Sequence, residues 1–254
     1  MQGGRQTSQI SMVRRIAMST QPSQQPVFPS SASTSLSFRA KNLDLLLSVL
    51  IALGLPFGAA QLFLWTNHAI WGLLLYYGVC CVGVVWWRKG SLGYQRPRRW
   101  PWLLMAAGLL IDLATAALNF QALPDAHAAM PGFVLTILLW VPLNSAMEQL
   151  SWIYVLDAWR TRWPGGPLRW LGLAIGILLT LALISLIHTR FWLLFLPTAT
   201  SANTALVVIL SLLLTATQIG AYYRSGSMWS TWLIHFFSDL QLVLLAHYSL
   251  FAHL

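Results

Sequence analysis

Hydrophobic positions in this chain fill long unbroken runs, roughly over residues 43–65, 69–87, 102–120, 132–156, 170–187, 204–222 and 228–251. An apolar stretch of about twenty residues, wound as a helix, matches the ~30 Å hydrocarbon core of a bilayer. A lone strand would leave its backbone groups unsatisfied in lipid. A barrel would need shorter segments of alternating polarity, which these runs lack. The pattern therefore predicts an all-α polytopic membrane protein, a bundle of about seven transmembrane helices over residues 41–254. Pro56, with Gly54 and Gly58 beside it, predicts a kink in the first helix. No internal repeat is visible, which weighs against an inverted-repeat transporter.

Residues 1–40 depart from the pattern. They are rich in Ser, Gln, Thr and Arg, and no apolar segment follows Arg14 and Arg15 at signal-peptide distance. They read as a disordered basic cytoplasmic tail.

Composition agrees with the runs. The chain is 57% hydrophobic and 8% charged, against about 25% charged residues in an ordinary soluble domain. That excludes a soluble enzyme and makes membrane lipid the first expected partner. Many of the 14 Trp flank the runs, where interfacial anchors belong. The net charge of +9 invites nucleic acid, but the basic residues are spread over separate loops, so no nucleic-acid partner is expected. The adjacent Cys80 and Cys81 read as buried thiols.

Charge then orients the bundle. If the spans alternate, 14 of the 15 Lys and Arg fall on one side, in the tail and in the second, fourth and sixth connections, and only Arg190 on the other. The positive-inside rule puts the N-terminus in the cytoplasm and the C-terminus outside, in a multi-pass protein of the cell membrane.

Three carboxylates carry the candidate chemistry. Asp44 and Asp157 read as span-end residues and Asp125 as a loop residue, but Asp112, Glu148 and Asp239 lie within apolar runs. A charge at the bilayer centre costs at least about 2.5–3.5 kcal/mol on insertion scales, so such residues face a bundle interior and mark function or an internal hydrogen bond. Asn144 precedes Glu148 by one turn, and His235 and Asp239 share a face at i, i+4. Glu148 stands about nine residues, or ~13 Å, from the cytoplasmic end of its helix, and His235 about eight residues, or ~12 Å, from Ser227. The two are thus at one depth, as a general base beside a polarising or metal-binding imidazole would be. His188 ends the fifth run, near the far side of a straight span. To meet the others it needs a deeply set turn over 163–167 or a strongly tilted helix.

The segments Glu148-Gln149-Leu150-Ser151-Trp152-Ile153, then His188, then Ser225-Gly226-Ser227 leading to His235 and Asp239 resemble the three motifs of the CPBP family of CAAX-protease-like intramembrane metalloproteases, E-E-x-x-x-R, F-x-x-x-H and H-x-x-x-N/D. The resemblance covers roughly residues 132–245. Gln149 replaces the second glutamate, Ile153 the arginine and Ile184 the phenylalanine. The resemblance implies that Glu148 activates the attacking water. It implies that His188, His235 and Asp239 bind a divalent metal, zinc in the first place, or stabilise the oxyanion. The expected function is an intramembrane metal-dependent endopeptidase with Glu148, His188, His235 and Asp239 as catalytic residues, acting on a peptide or protein substrate in or at the membrane. A non-catalytic relative serving as a scaffold or immunity protein stands beside it, as does a small transporter using Asp112, Glu148 and Asp239.

Overall fold

With no water in the hydrocarbon to accept backbone hydrogen bonds, the chain pairs its amides within its own helices. The computed structural model describes residues 38–120, 123, 125–196 and 204–251, and no strand occurs among them. The tail expected over 1–40 lies outside the described residues except for 38–40. Phe38 and Ala40 already pack on the helices, with the Phe38 ring 6.1 Å from that of Tyr154 and the Ala40 amide donating to Thr161 Oγ1 at 3.2 Å.

Seven helices follow: α1 Asn42–Thr66, α2 Ala69–Lys89, α3 Trp102–Asn119, α4 Met130–Arg160, α5 Pro167–Leu194, α6 Ala205–Ser225 and α7 Met228–Ala246. The first six are long and apolar enough to cross a membrane. The seventh has 19 residues and is more polar, because it carries Ser230, Thr231, His235, Ser238, Asp239 and Gln241. The protein is an all-α polytopic membrane bundle.

Proline shapes two helices. Pro56 and Pro142 have no amide to donate, and in each case the preceding turn, Leu50–Gly54 in α1 and Thr136–Trp140 in α4, is wound wider, as a π-helix. The helices run on through both places, so the distortion expected at Pro56 takes this form. The Pro142 carbonyl is instead used by the Trp232 indole, which donates to it at 3.1 Å. Turns are set by residues that tolerate positive φ. Asn67 (φ 54°) ends α1, Gly90 (φ 68°) ends α2, and Gly226 (φ 69°) leads into Ser227, whose hydroxyl accepts the Trp229 amide at the start of α7.

Helix α4 is the hub. It packs on α1, α2, α5 and α7, while α3 packs on α6 and α7. Every residue from Glu148 to Ala158 is buried. Glycine lets α5 approach closely, since a Cβ on Gly172 would stand 2.6 Å from the Trp159 carbonyl oxygen.

Asp44 and Asp157 do lie at span ends, but both are buried there, at the Lys/Arg-rich end of the bundle. Asp44 takes a bidentate pair from Arg88 (2.8 and 3.1 Å), the Tyr154 hydroxyl at 2.9 Å and the Lys41 amide at 2.7 Å. Asp157 takes Lys89 Nζ at 2.9 Å, Arg160 Nη2 at 3.1 Å and the Tyr223 hydroxyl at 2.8 Å. Charges taken out of water must be paired, and these link α1, α2, α4 and α6 in one layer.

Candidate functional site

One turn of α4 and one turn of α7 build the site. Asn144, Ser145 and Glu148 lie on one face of α4, and His235 and Asp239 face them from α7, because residues three and four apart on a helix project together. All five are buried. His235 Nε2 stands 3.5 Å from Glu148 Oε2 and 3.7 Å from Asp239 Oδ1. The two helices thus bring the carboxylate and the imidazole to the same level, as their depths in the sequence required.

Each carboxylate is held by one oxygen. Glu148 Oε1 accepts the Trp192 indole N–H at 2.8 Å. Asp239 Oδ2 accepts Asn144 Nδ2 at 2.9 Å and Ser145 Oγ at 2.7 Å. The Tyr77 hydroxyl in turn donates to Asn144 Oδ1, so α2 fixes Asn144. Glu148 Oε2 and Asp239 Oδ1 are left turned toward His235 Nε2, at distances longer than a good hydrogen bond. His235 Nδ1 is buried and finds no partner among the described residues. The Trp152 ring lies 5.0 Å from the imidazole and fixes its plane.

His188 is placed differently. It sits in the widened turn Ile187–Phe191 near the end of α5, where Ile187, Phe191 and Trp192 take the inward face and His188 is exposed. Its Nδ1 pairs with the Ile184 carbonyl oxygen at 2.7 Å, and Nε2 has no hydrogen-bond partner among the described residues. It makes no hydrogen bond with Glu148, His235 or Asp239 among the described residues. No three His, Cys, Asp or Glu side chains among the described residues stand close enough to hold a metal ion. His188, His235 and Asp239 therefore do not converge as a zinc centre in this arrangement.

The motif departures have structural roles. Gln149 turns away from Glu148 and donates to the Tyr94 hydroxyl at 2.9 Å, and Tyr94 donates to the Ala146 carbonyl at 2.6 Å. Position 149 thus ties the α2–α3 connection to α4. Ile153 is part of the apolar core. Asp112 is buried on α3, where Ser238 Oγ donates to its Oδ1 at 2.6 Å. Among the described residues it makes no hydrogen bond with Glu148, His235 or Asp239.

Sequence reasoning missed Trp192 and Tyr77. Trp192 follows His188 by one helical turn, so a polar tip at that spacing was the available signal. Tyr77 offered none beyond a hydroxyl inside an apolar run.

An apolar groove of about 530 Å³ runs between α2 and α4, lined by Ile70, Leu74, Leu139, Trp140 and Met147 among others. Tyr77 belongs both to this groove and to the hydrogen-bonded cluster. No protein-family model, no curated protein and no solved structure matches the chain.

Proposed function

We propose that the protein is an intramembrane endopeptidase of the CPBP type that hydrolyses a peptide bond in a membrane-associated substrate, with Glu148 as general base. The observation that carries this reading is the buried pair of Glu148 Oε2 and His235 Nε2, 3.5 Å apart and not hydrogen-bonded to each other. Trp192 holds the other oxygen of Glu148, so the free oxygen is aimed and available to take a proton from water. His235 stands beside it to polarise the scissile carbonyl or to return a proton to the leaving amine. Asp239, fixed by Asn144 and Ser145, presents Oδ1 to the same imidazole nitrogen from 3.7 Å. A substrate segment lying in the α2–α4 groove would reach this pair past Tyr77.

His188 is the fourth residue of the proposed set, and its Nε2 would serve the oxyanion. The resemblance assigns a divalent metal, zinc in the first place, to His188, His235 and Asp239; these do not converge in this arrangement, so no step of the proposal is routed through a metal. Metal analysis of detergent-purified protein, with His235→Ala as control, decides whether it binds. The N-terminus is read as cytoplasmic and the C-terminus as external, which cysteine accessibility at both ends tests.

Hydrolysis of a panel of membrane-anchored peptides in proteoliposomes tests the activity. Wild type should cleave and Glu148→Gln should not, and equal rates would overturn the reading. The structural use of Gln149 and the apolar use of Ile153 favour one second reading, a non-catalytic scaffold or immunity protein. That reading expects no cleavage by wild type and full biological function in Glu148→Gln.

A further inference from the structure

We propose that the pocket between α3 and α7 binds an ammonium group carried on a small apolar body, with Asp112 as its counter-ion. The pocket has a volume of about 230 Å³ and is lined by Leu109, Asp112, Leu113, Ala116, Phe237 and Gln241. It lies beside the hydrogen bond from Ser238 on α7 to Asp112 on α3, and neither Glu148 nor His235 is among its lining residues.

Two of its lining residues each have a buried oxygen with no partner among the described residues. Asp112 is 4% exposed, and its Oδ1 accepts from Ser238, while Oδ2 is buried with no hydrogen-bond partner among the described residues. Gln241 Oε1 is likewise buried and unpartnered. The two residues are brought together because Ser238 and Gln241 stand three apart on α7, opposite Asp112 on α3. An intramembrane carboxylate with one oxygen unused is costly to keep. The layer around Asp44 and Asp157 shows how this chain pairs carboxylates with Arg or Lys where they serve structure. No Lys or Arg lines this pocket.

The ligand chemistry follows from the lining. Two acceptors call for a group with several protons to donate, and a carboxylate among them calls for a positive one. The other four lining residues are apolar, which calls for a hydrocarbon body of modest size. Leu113 and Phe237 are exposed on the outer face of the bundle, so the pocket is reached from the lipid side.

Cyclohexylmethylamine and its neutral counterpart cyclohexylmethanol are the probes, titrated calorimetrically into the full chain in lipid nanodiscs. The amine should bind saturably and at least tenfold more tightly than the alcohol. Asp112→Asn should weaken the amine at least tenfold and leave the alcohol unchanged, and Gln241→Leu should weaken the amine severalfold. Asp125→Asn, in an exposed loop, should bind as wild type does. Equal affinity for the two probes in wild type, no saturable binding of the amine, or undiminished amine binding in Asp112→Asn would each overturn the proposal. The comparison of probes on wild type decides the matter even if a variant fails to fold.

Discussion

Two groups of buried charges each have a member on α4, Asp157 in one and Glu148 in the other, and they are built on opposite principles. At the Lys/Arg-rich end, Asp157 is met by a lysine, an arginine and a tyrosine, and neighbouring Asp44 by an arginine, a tyrosine and an amide. Glu148 and Asp239, toward the middle of the bundle, meet no Lys or Arg in any ion pair among the described residues. Each keeps one oxygen bound and one turned toward an imidazole whose far nitrogen is unpartnered. Saturation of the first group makes it a structural clamp. Incomplete pairing of the second is a standing cost of the kind that functional sites carry, because groups that must act on a substrate cannot be spent on each other.

The comparison breaks first at Glu148. Glu148→Gln keeps the side-chain shape and the Trp192 contact but loses the base. Peptide hydrolysis should fall by a factor of about 10²–10⁴, the usual worth of a positioned general base. Thermal unfolding in detergent should stay at or above the wild-type midpoint. A variant that loses activity only by losing the fold would show that the mid-span cluster is a clamp as well.

Asp157→Ala should do the reverse. It strands Lys89, whose side chain is 8% exposed, together with Arg160. Removing one partner of a buried pair costs about 3–5 kcal/mol, which reversible unfolding in mixed micelles would read. The double variant Asp157→Leu, Lys89→Met should recover much of that loss, since the one charge then left without its partner, Arg160, has a side chain already 33% exposed.

Trp192→Phe is a smaller change. It removes the one donor on Glu148 Oε1 among the described residues and leaves the aromatic packing with Tyr76 and Trp140 largely in place. A hydrogen bond to a charged group is worth about 1.5–3 kcal/mol, so activity should drop by roughly ten- to a hundredfold as the carboxylate loses its orientation. A wild-type rate would mean that Oε1 needs no anchor.

The two regions were unequally legible in the sequence. The mid-span cluster could be read, because a carboxylate inside an apolar run is conspicuous, helical spacing puts Asp239 under His235, and rise per residue puts Glu148 at the same depth. The clamp was not, because Asp44 and Asp157 lie near span ends, where charge is ordinary. Only the packing of α1 and α2 against α4 reveals that they are buried. His188 shows the limit of helical arithmetic. Its exposure depends on the widened turn Ile187–Phe191, which alters the phase of α5, and no residue pattern in that stretch announces it. Tyr77 and Trp192 enter the site from α2 and α5, so their part depends on helix–helix register, which local sequence does not carry.

The finest test is the same deletion made in both regions. Tyr154 and Tyr77 each donate one hydroxyl to a buried polar group, Tyr154 to Asp44 and Tyr77 to Asn144. Removing either hydroxyl should cost about 1 kcal/mol of stability, the net worth of one hydrogen bond. In Tyr154→Phe the loss ends there, since Asp44 keeps Arg88 and the Lys41 amide, and hydrolysis should stay within about twofold of wild type. In Tyr77→Phe the same loss frees Asn144, which holds Asp239, which faces His235, so the rate should fall severalfold although the stability change is alike. The difference would appear in kcat with KM nearly unchanged if Tyr77 acts only by positioning, and in both if it also lines the path of the substrate through the α2–α4 groove. Equal rates for the two variants would mean that the polar chain from α2 contributes stability alone, and that the contrast between the two regions stops at Glu148 and His235.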